Sequence, residues 1–205
     1  MKIYIISFIC FLSCSGAFAQ ANVEAARNAL RYNDFALAVN LYSGLINASP
    51  QHAIFYYSRG MANYYLDNIK EAKSDFTQAI RLDSTYYEAF MGLAFAFVAD
   101  GENKHSLRAL DRAINVNSNS SNAFYSRGLI NYVKKNYKNS VSDYDLALEL
   151  NPANINAIYG RAIAYYQLKD FQKAKNDFAE YLSKPDNNRV LADESRRLLN
   201  IINRK

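Results

Sequence analysis

The feature that most constrains this chain is self-similarity at a step of 34 residues. The tetrapeptide YSRG occurs at 57–60 and again at 125–128, so that Arg59 and Arg127 stand 68 residues apart, two steps of that period. Aligned on the step, units begin near residues 19, 53, 87, 121 and 155. The eighth place of each unit is always tiny: Ala26, Gly60, Ala94, Gly128 and Ala162. The twentieth place holds Ala38, Ala72, Ser106, Ser140 and Ala174, and the twenty-fourth holds Tyr42, Phe76, Leu110, Tyr144 and Phe178. Pro50 and Pro152 close the first and fourth units. A period of this length marks a supersecondary unit built repeatedly.

Each unit carries two amphipathic stretches, such as 53–66 and 69–82, joined by a short polar turn like Asp67-Asn68 or Lys169-Asp170. The tiny residue at place eight and the small one at place twenty let the two helices approach closely, and the large side chain at place twenty-four fills the gap between neighbouring units. One helical pair cannot bury its apolar face alone, so the units must stack and share a core. With only three prolines and seven glycines in 205 residues, little interrupts the helices. The predicted fold class is all-α, a solenoid of tandem helical hairpins. Residues 188–205 lie beyond the last unit. Leu191, Leu198 and Ile202 mark one face there, with Val190 and Ile201 beside it, which predicts a C-terminal capping helix over the end of the stack.

The small–large–small spacing and terminal proline resemble the tetratricopeptide repeat (TPR). The resemblance covers nearly all of residues 20–187 as five repeats, at about 20–52, 53–86, 87–120, 121–154 and 155–187. The family's usual tryptophan at place four is replaced by Asn22, Tyr56, Phe90, Phe124 and Ile158, and the third unit departs furthest, with Asn103 where Phe35, Tyr137 and Phe171 stand elsewhere. The family implies a superhelix whose concave face is lined by the first helix of each unit, and a protein or peptide segment as the occupant of that face. Carried onto this sequence, the implied groove is Tyr57, Met61, Tyr64, Met91, Phe95, Tyr125, Leu129, Tyr132, Tyr159, Ile163 and Tyr166. It is apolar and tyrosine-rich; tyrosine offers large contact area, little rotamer entropy and a polar handle. Aromatic residues at helical spacing are also ordinary core, so some of these rings are expected to pack between first helices. The variant of the family that clamps a terminal carboxylate with Lys and Asn is not matched, because places five and nine carry neither.

Arginine at place seven and aspartate at place twenty-three come and go together. Units two, four and five have Arg59 with Asp75, Arg127 with Asp143 and Arg161 with Asp177; units one and three have Ala25 with Leu41 and Leu93 with Ala109. The constant separation predicts structural ion pairs between the two helices of a unit, since a guanidinium taken from water needs a carboxylate partner. The rival reading is that these arginines grip an anionic ligand tail.

The N-terminus reads separately. Lys2 precedes an apolar run from Ile3 to about Cys14, followed by Ala17-Phe18-Ala19, the pattern of a secretory signal peptide cut after Ala19. The apolar run is short for a membrane span. The alternatives are an uncleaved membrane anchor and, the better rival, a lipoprotein anchored through Cys14. Cleavage after Ala19 removes both cysteines, Cys10 and Cys14, leaving no thiol for disulfides, metal or catalysis.

Chemistry is otherwise sparse. His52 and His105 have no converging ligands, so no metal is expected. The seven glycines are scattered and form no phosphate loop, and no Ser–His–acid set is suggested. The net charge of +5 is spread evenly, which does not favour nucleic acid. The sequence therefore predicts an exported, non-catalytic interaction module without cofactor or small-molecule substrate, periplasmic or secreted, binding a protein or peptide in its groove. The alternative is a structural subunit of a cell-envelope assembly that docks through its convex face or cap helix.

Overall fold

The computed structural model describes residues 20–185 and 187–204. The expected signal peptide over 1–19, and with it the Cys14 alternative, lies outside the described residues. Among the described residues every regular element is helical. The helices are α1 (20–31), α2 (Phe35–Ala48), α3 (Ala53–Tyr65), α4 (Ile69–Leu82), α5 (Tyr87–Ala99), α6 (Asn103–Val116), α7 (Ser121–Val133), α8 (Tyr137–Leu150), α9 (Ile155–Gln167), α10 (Phe171–Ser183) and α11 (Arg189–Asn203). The even-numbered helices from α2 to α10 start at 35, 69, 103, 137 and 171, and the odd-numbered ones from α3 to α11 at 53, 87, 121, 155 and 189, each in steps of 34.

The turn between paired helices is fixed by local backbone chemistry. Asn33, Asp67, Gly101, Lys135 and Lys169, the fifteenth residue of each unit, all adopt positive φ, between 60° and 74°. The residue after four of these returns its amide to a carbonyl five residues back, as in Asn68 to Asn63 and Asp170 to Tyr165, at 2.9 and 3.0 Å. This is the Schellman closure of a helix C-terminus. The same residue then begins the next helix; Asp34 and Asp170 accept side-chain capping bonds from the amides of Leu37 and Lys173.

The chain divides into two compact units between Gly101 and Glu102. In the first, Ala26 and Ala29 of α1 pack with Ala38, Tyr42 and Leu45 of α2 and Ala62 of α3. A second cluster joins Ala72 and Phe76 of α4 to Ala96 of α5, with Tyr57, Met61, Tyr64 and Ile69 against it. In the second unit, Phe124, Tyr144, Ala147, Ala157 and Ala164 form a cluster across α7, α8 and α9. Alanine at the closest approaches is what allows large rings to fill the space between helices without voids.

One packing relation recurs and is only half visible in the sequence. Phe76 is fully buried between two glycines: a Cβ on Gly60 would stand 2.9 Å from its Cε1, and one on Gly92 would stand 2.7 Å from the same atom. Tyr144 meets Gly128 and Gly160 in the same way, at 2.8 and 2.6 Å. The eighth-place glycine is the one the spacing predicts. Gly92 and Gly160 stand at place six of the following repeat, where Ser58 and Ser126 stand in repeats two and four. The packing thus alternates with a period of two repeats.

The cap helix α11 packs as the apolar pattern predicts at Leu198 and Ile202, which join Ala162, Ala174 and Phe178. Its buried face is completed by Ala192 and Ser195, not by Val190, which is 74% exposed. Small residues there permit close contact: Ala192 packs with Ile158 and Tyr181, and Ser195 turns its hydroxyl back onto the Leu191 carbonyl at 2.7 Å. Asn188 caps the helix, accepting bonds from the amides of Val190 and Leu191.

Candidate functional site

In the second unit, α7, α9 and α11 line a groove of about 490 Å³. Six residues of the expected set converge there: Tyr125, Leu129, Tyr132, Tyr159, Ile163 and Tyr166. The cap helix supplies the opposite wall with Leu191, Glu194, Arg197 and Leu198, and Asn156 and Gln167 add polar edges. Tyr144 and Gly160 complete the lining. A 34-residue period carries each first-helix place to the same side of its neighbour, and α11, starting 34 residues after α9, continues the row.

The tyrosines are shared between groove and core. Tyr125 tilts against Tyr144, and Tyr159 against Tyr181, with ring centroids 5.9 and 5.2 Å apart. Tyr132 and Tyr166 lean on Tyr137 and Phe171, the large residues at place seventeen, at 5.4 and 5.8 Å. Each is half-buried. Burial pushes the phenol pKa of Tyr125, Tyr132 and Tyr159 upward, so these rings stay neutral well above physiological pH. Such pre-packed rings have little rotamer freedom left to lose when something binds. At the rim, Arg197 pairs with Glu194 through Nη2 at 2.6 Å, and Gln167 reaches the Tyr132 hydroxyl at 3.4 Å.

In the first unit the corresponding residues lie on α3 and α5. Tyr57, Met61 and Tyr64 are half-buried against the Phe76 cluster, and Phe95 is 43% exposed. Met91 is buried, 8% exposed, and offers little surface. Burial, with Glu88 adding, raises the Tyr57 pKa.

The arginines make a network larger than the pairs read from the sequence. Arg59 forks onto Asp75, with Nε 3.0 Å from Oδ2 and Nη2 2.7 Å from Oδ1. Arg161 does the same to Asp177, at 2.8 Å for both bonds. Each third nitrogen crosses to the preceding even-numbered helix: Arg59 to Ser43, Arg127 to Asp111 and Arg161 to Asp145, at 3.1, 2.9 and 2.7 Å. Asn63 Nδ2 shares Asp75 Oδ2 with Arg59 Nε, and Asn131 Nδ2 donates to Asp143 Oδ2. With Nε, Nη1 and Nη2 all bonded within the fold, these arginines present no free fork to a ligand. The cross-links at place twenty-five escape the sequence reading because that place varies among Ser43, Asp111 and Asp145; the common separation of 16 is the available signal.

Among the described residues no group of three or more His, Cys, Asp or Glu could hold a metal ion, and no helix is long and apolar enough to cross a membrane.

Residues 53–86 match the tetratricopeptide repeat family, and residues 93–155 match it again. The chain contains tetratricopeptide repeats. The TPR fold, typical of protein–protein interaction modules, also appears in the solved structures it resembles. MamA is 21% identical with a TM-score of 0.71, covering 83% of this chain and 97% of its own. YrrB, described as a TPR protein with an unusual peptide-binding site, is 22% identical with a TM-score of 0.71, covering 86% and 90%. A TPR protein from Parabacteroides merdae reaches a TM-score of 0.78 at 19% identity, covering 91% and 74%. At these identities the likeness concerns the fold. Among curated relatives, the small glutamine-rich TPR-containing protein 2 of Saccharomyces cerevisiae is 28% identical over 107 residues, which is 52% of this chain and 31% of that protein. The SGT1 homolog of rice, Oryza sativa subsp. japonica, is 34% identical over 94 residues, 45% and 26% respectively. Serine/threonine-protein phosphatase 5 of Rattus norvegicus is 29% identical over 98 residues, 48% and 20%. The TPR chain thus matches less than a third of the length of each of these relatives.

Proposed function

We propose that this TPR chain is an exported, non-catalytic interaction module that holds a peptide or protein segment against the row of first helices. The observation that carries the reading is the groove between α7, α9 and α11. Its lining of Tyr125, Leu129, Tyr132, Tyr159, Ile163 and Tyr166 is apolar, aromatic and already packed from behind. A groove that mixes aromatic and aliphatic side chains with nearly as much polar surface suits an extended segment or a helix from another protein. YrrB, a fold neighbour described as having a peptide-binding site, supports the same use of the fold. Export rests on the pattern of residues 1–19.

The test is photo-crosslinking from Tyr132 and Tyr166 in the native cell, repeated with Tyr125 and Tyr159 changed to Ala. A discrete crosslinked protein that disappears in the double variant supports the groove. Crosslinks unchanged by it, or obtained only from the outer surface of α11, would reject it. Mass spectrometry of the mature N-terminus tests export separately, since a chain beginning at Gln20 is the expected product.

A further inference from the structure

Folding gathers onto one edge of the second unit a positive charge that is spread out along the sequence. The last turn of α9 is tied to that of α7, since Gln167 Nε2 reaches the Tyr132 hydroxyl at 3.4 Å. The turns that follow, 133–136 and 168–170, therefore lie side by side. The end of α11 joins them, because Ile201 and Ile202 share a cluster with Phe171 at the start of α10. Lys134, Lys135, Lys138, Lys169, Lys173 and Arg204 stand exposed along this edge. An acid set among them is Asp170, the N-cap of α10, which lies 3.4 Å from Lys173 Nζ. The opposite edge, where α7 and α9 begin, is asparagine-rich: 117–122 and 149–156 hold one charged side chain, Glu149.

The lysines sit where the backbone does not favour them. Lys135 and Lys169 adopt a φ of 62°, in the left-handed region, at the place that Asn33, Asp67 and Gly101 fill in repeats one to three. Lys138 and Lys173 stand in the first turns of α8 and α10, at the positive end of each helix dipole, with no acidic residue in either turn. By contrast α4 answers its Lys70 with Glu71 in the same turn. Charge kept against local preference points to something outside the fold. Among the lysines, Val133 is 57% exposed and Leu168 is 36% exposed, at the tips of the two turns.

We infer that this edge docks on a membrane surface rich in anionic phospholipid. The cations meet headgroup phosphates, and Val133 and Leu168 reach toward the acyl boundary. All but Arg204 are lysines, compact charges that suit mobile headgroups better than a fixed phosphate gripped by a planar fork. Nucleic acid or an acidic peptide would match the charge but leave the two apolar tips in water. The inference stands apart from the groove reading. The groove lies along α7, α9 and α11 and the basic edge at their ends, so one chain can hold a partner and a surface together.

The experiment floats the chain, purified from its own cells, with vesicles of phosphatidylcholine alone or mixed equally with phosphatidylglycerol. The readout is the ratio of the two partition coefficients, in which any contribution of the N-terminus common to both vesicles cancels. The ratio should be about a hundredfold or more in favour of the anionic vesicles and should collapse in high salt. Lys135→Asn/Lys169→Asn installs the residue that repeat one carries at this turn, so Tm should hold or rise while the ratio falls about twenty- to thirtyfold. Val133→Ser should weaken partitioning into the mixed vesicles about five- to tenfold. A ratio near one for the unaltered chain, or an unchanged ratio in the asparagine variant, would overturn the inference. Full partitioning of Val133→Ser, with polyglutamate displacing the chain from the vesicles, would assign the edge to an acidic protein and overturn the membrane as its partner.

Discussion

Arg127 donates from both Nε and Nη2 to a single oxygen of Asp143, Oδ1, at 3.0 and 2.6 Å. The other oxygen, Oδ2, is thereby left for Asn131 Nδ2 at 2.9 Å, and the remaining guanidinium nitrogen reaches Asp111. The Asp143 side chain is only 5% exposed, so these donors stand where water would otherwise bond it. Arg127→Leu should destabilise the chain by about 3–5 kcal/mol, because it strands a buried carboxylate. Arg127→Leu/Asp143→Leu should cost less than the two single changes together, with a coupling of about 1–3 kcal/mol in urea unfolding. Additive costs would mean that the two side chains act independently.

Glycine substitutions should separate by what stands opposite them. A Cβ on Gly128 would sit 2.8 Å from Tyr144 Cε1 and 3.2 Å from Asp143 Cβ. Tyr144 cannot retreat, since Gly160 holds it on its other side. Gly128→Ala should therefore lower stability by about 1–3 kcal/mol through overpacking. Gly44 lies inside α2, and a methyl added there would meet nothing within 4 Å. Gly44→Ala should instead raise stability by about 0.5–1 kcal/mol, the helix preference alone. Thermal unfolding of the two variants gives opposite signs if the ring-between-glycines packing is correct.

How much of this is legible in the sequence depends on how strictly each place repeats. The helix boundaries follow the 34-residue step because several places keep one size class through every repeat. The pairing of Arg59, Arg127 and Arg161 with aspartate is legible because both partners vanish together in repeats one and three. Gly92 and Gly160 are not, since they recur only in alternate repeats and pack against a ring of the preceding one. Ala192 and Ser195 are hidden in the cap for a related reason: their contribution is their small size, and an apolar periodicity reads large side chains. Met91 shares a place with the groove tyrosines, but sequence position alone does not report that neighbours cover it.

Asp177 should dominate one part of the pH profile. Burial raises its pKa above the ordinary carboxylate value, and the Arg161 fork offsets this only in part. At the place where Asn63 and Asn131 support the other aspartates, repeat five has Tyr165, so Asp177 lacks that third donor. A raised carboxyl pKa means that the folded state holds its proton more tightly than the unfolded state. Its contribution to stability is thus present below the unfolded pKa and lost as pH rises through the folded one. Tyr165→Asn should lower the Asp177 pKa and flatten that decline. Carboxyl NMR titration of both proteins, with urea unfolding at each pH, checks the shift and its sign.

The cap should control the end of the second unit locally. Leu198 is 4% exposed and packs with Ala162, Ala174 and Phe178, so its truncation opens a cavity under α11. Leu198→Ala should cost about 2–5 kcal/mol for the helices it touches. In a repeat array each element is stabilised mainly by its neighbours, so the damage is graded along the chain. Native-state hydrogen exchange should show amides of α9, α10 and α11 losing protection first, while those of α3 and α4, whose core is Ala72, Phe76 and Ala96, keep theirs. The groove should fail with the cap, because Leu191, Glu194, Arg197 and Leu198 form its far wall. Equal loss of protection in α3 and α11 would mean that the chain unfolds as one cooperative body, and that α11 is no local seal.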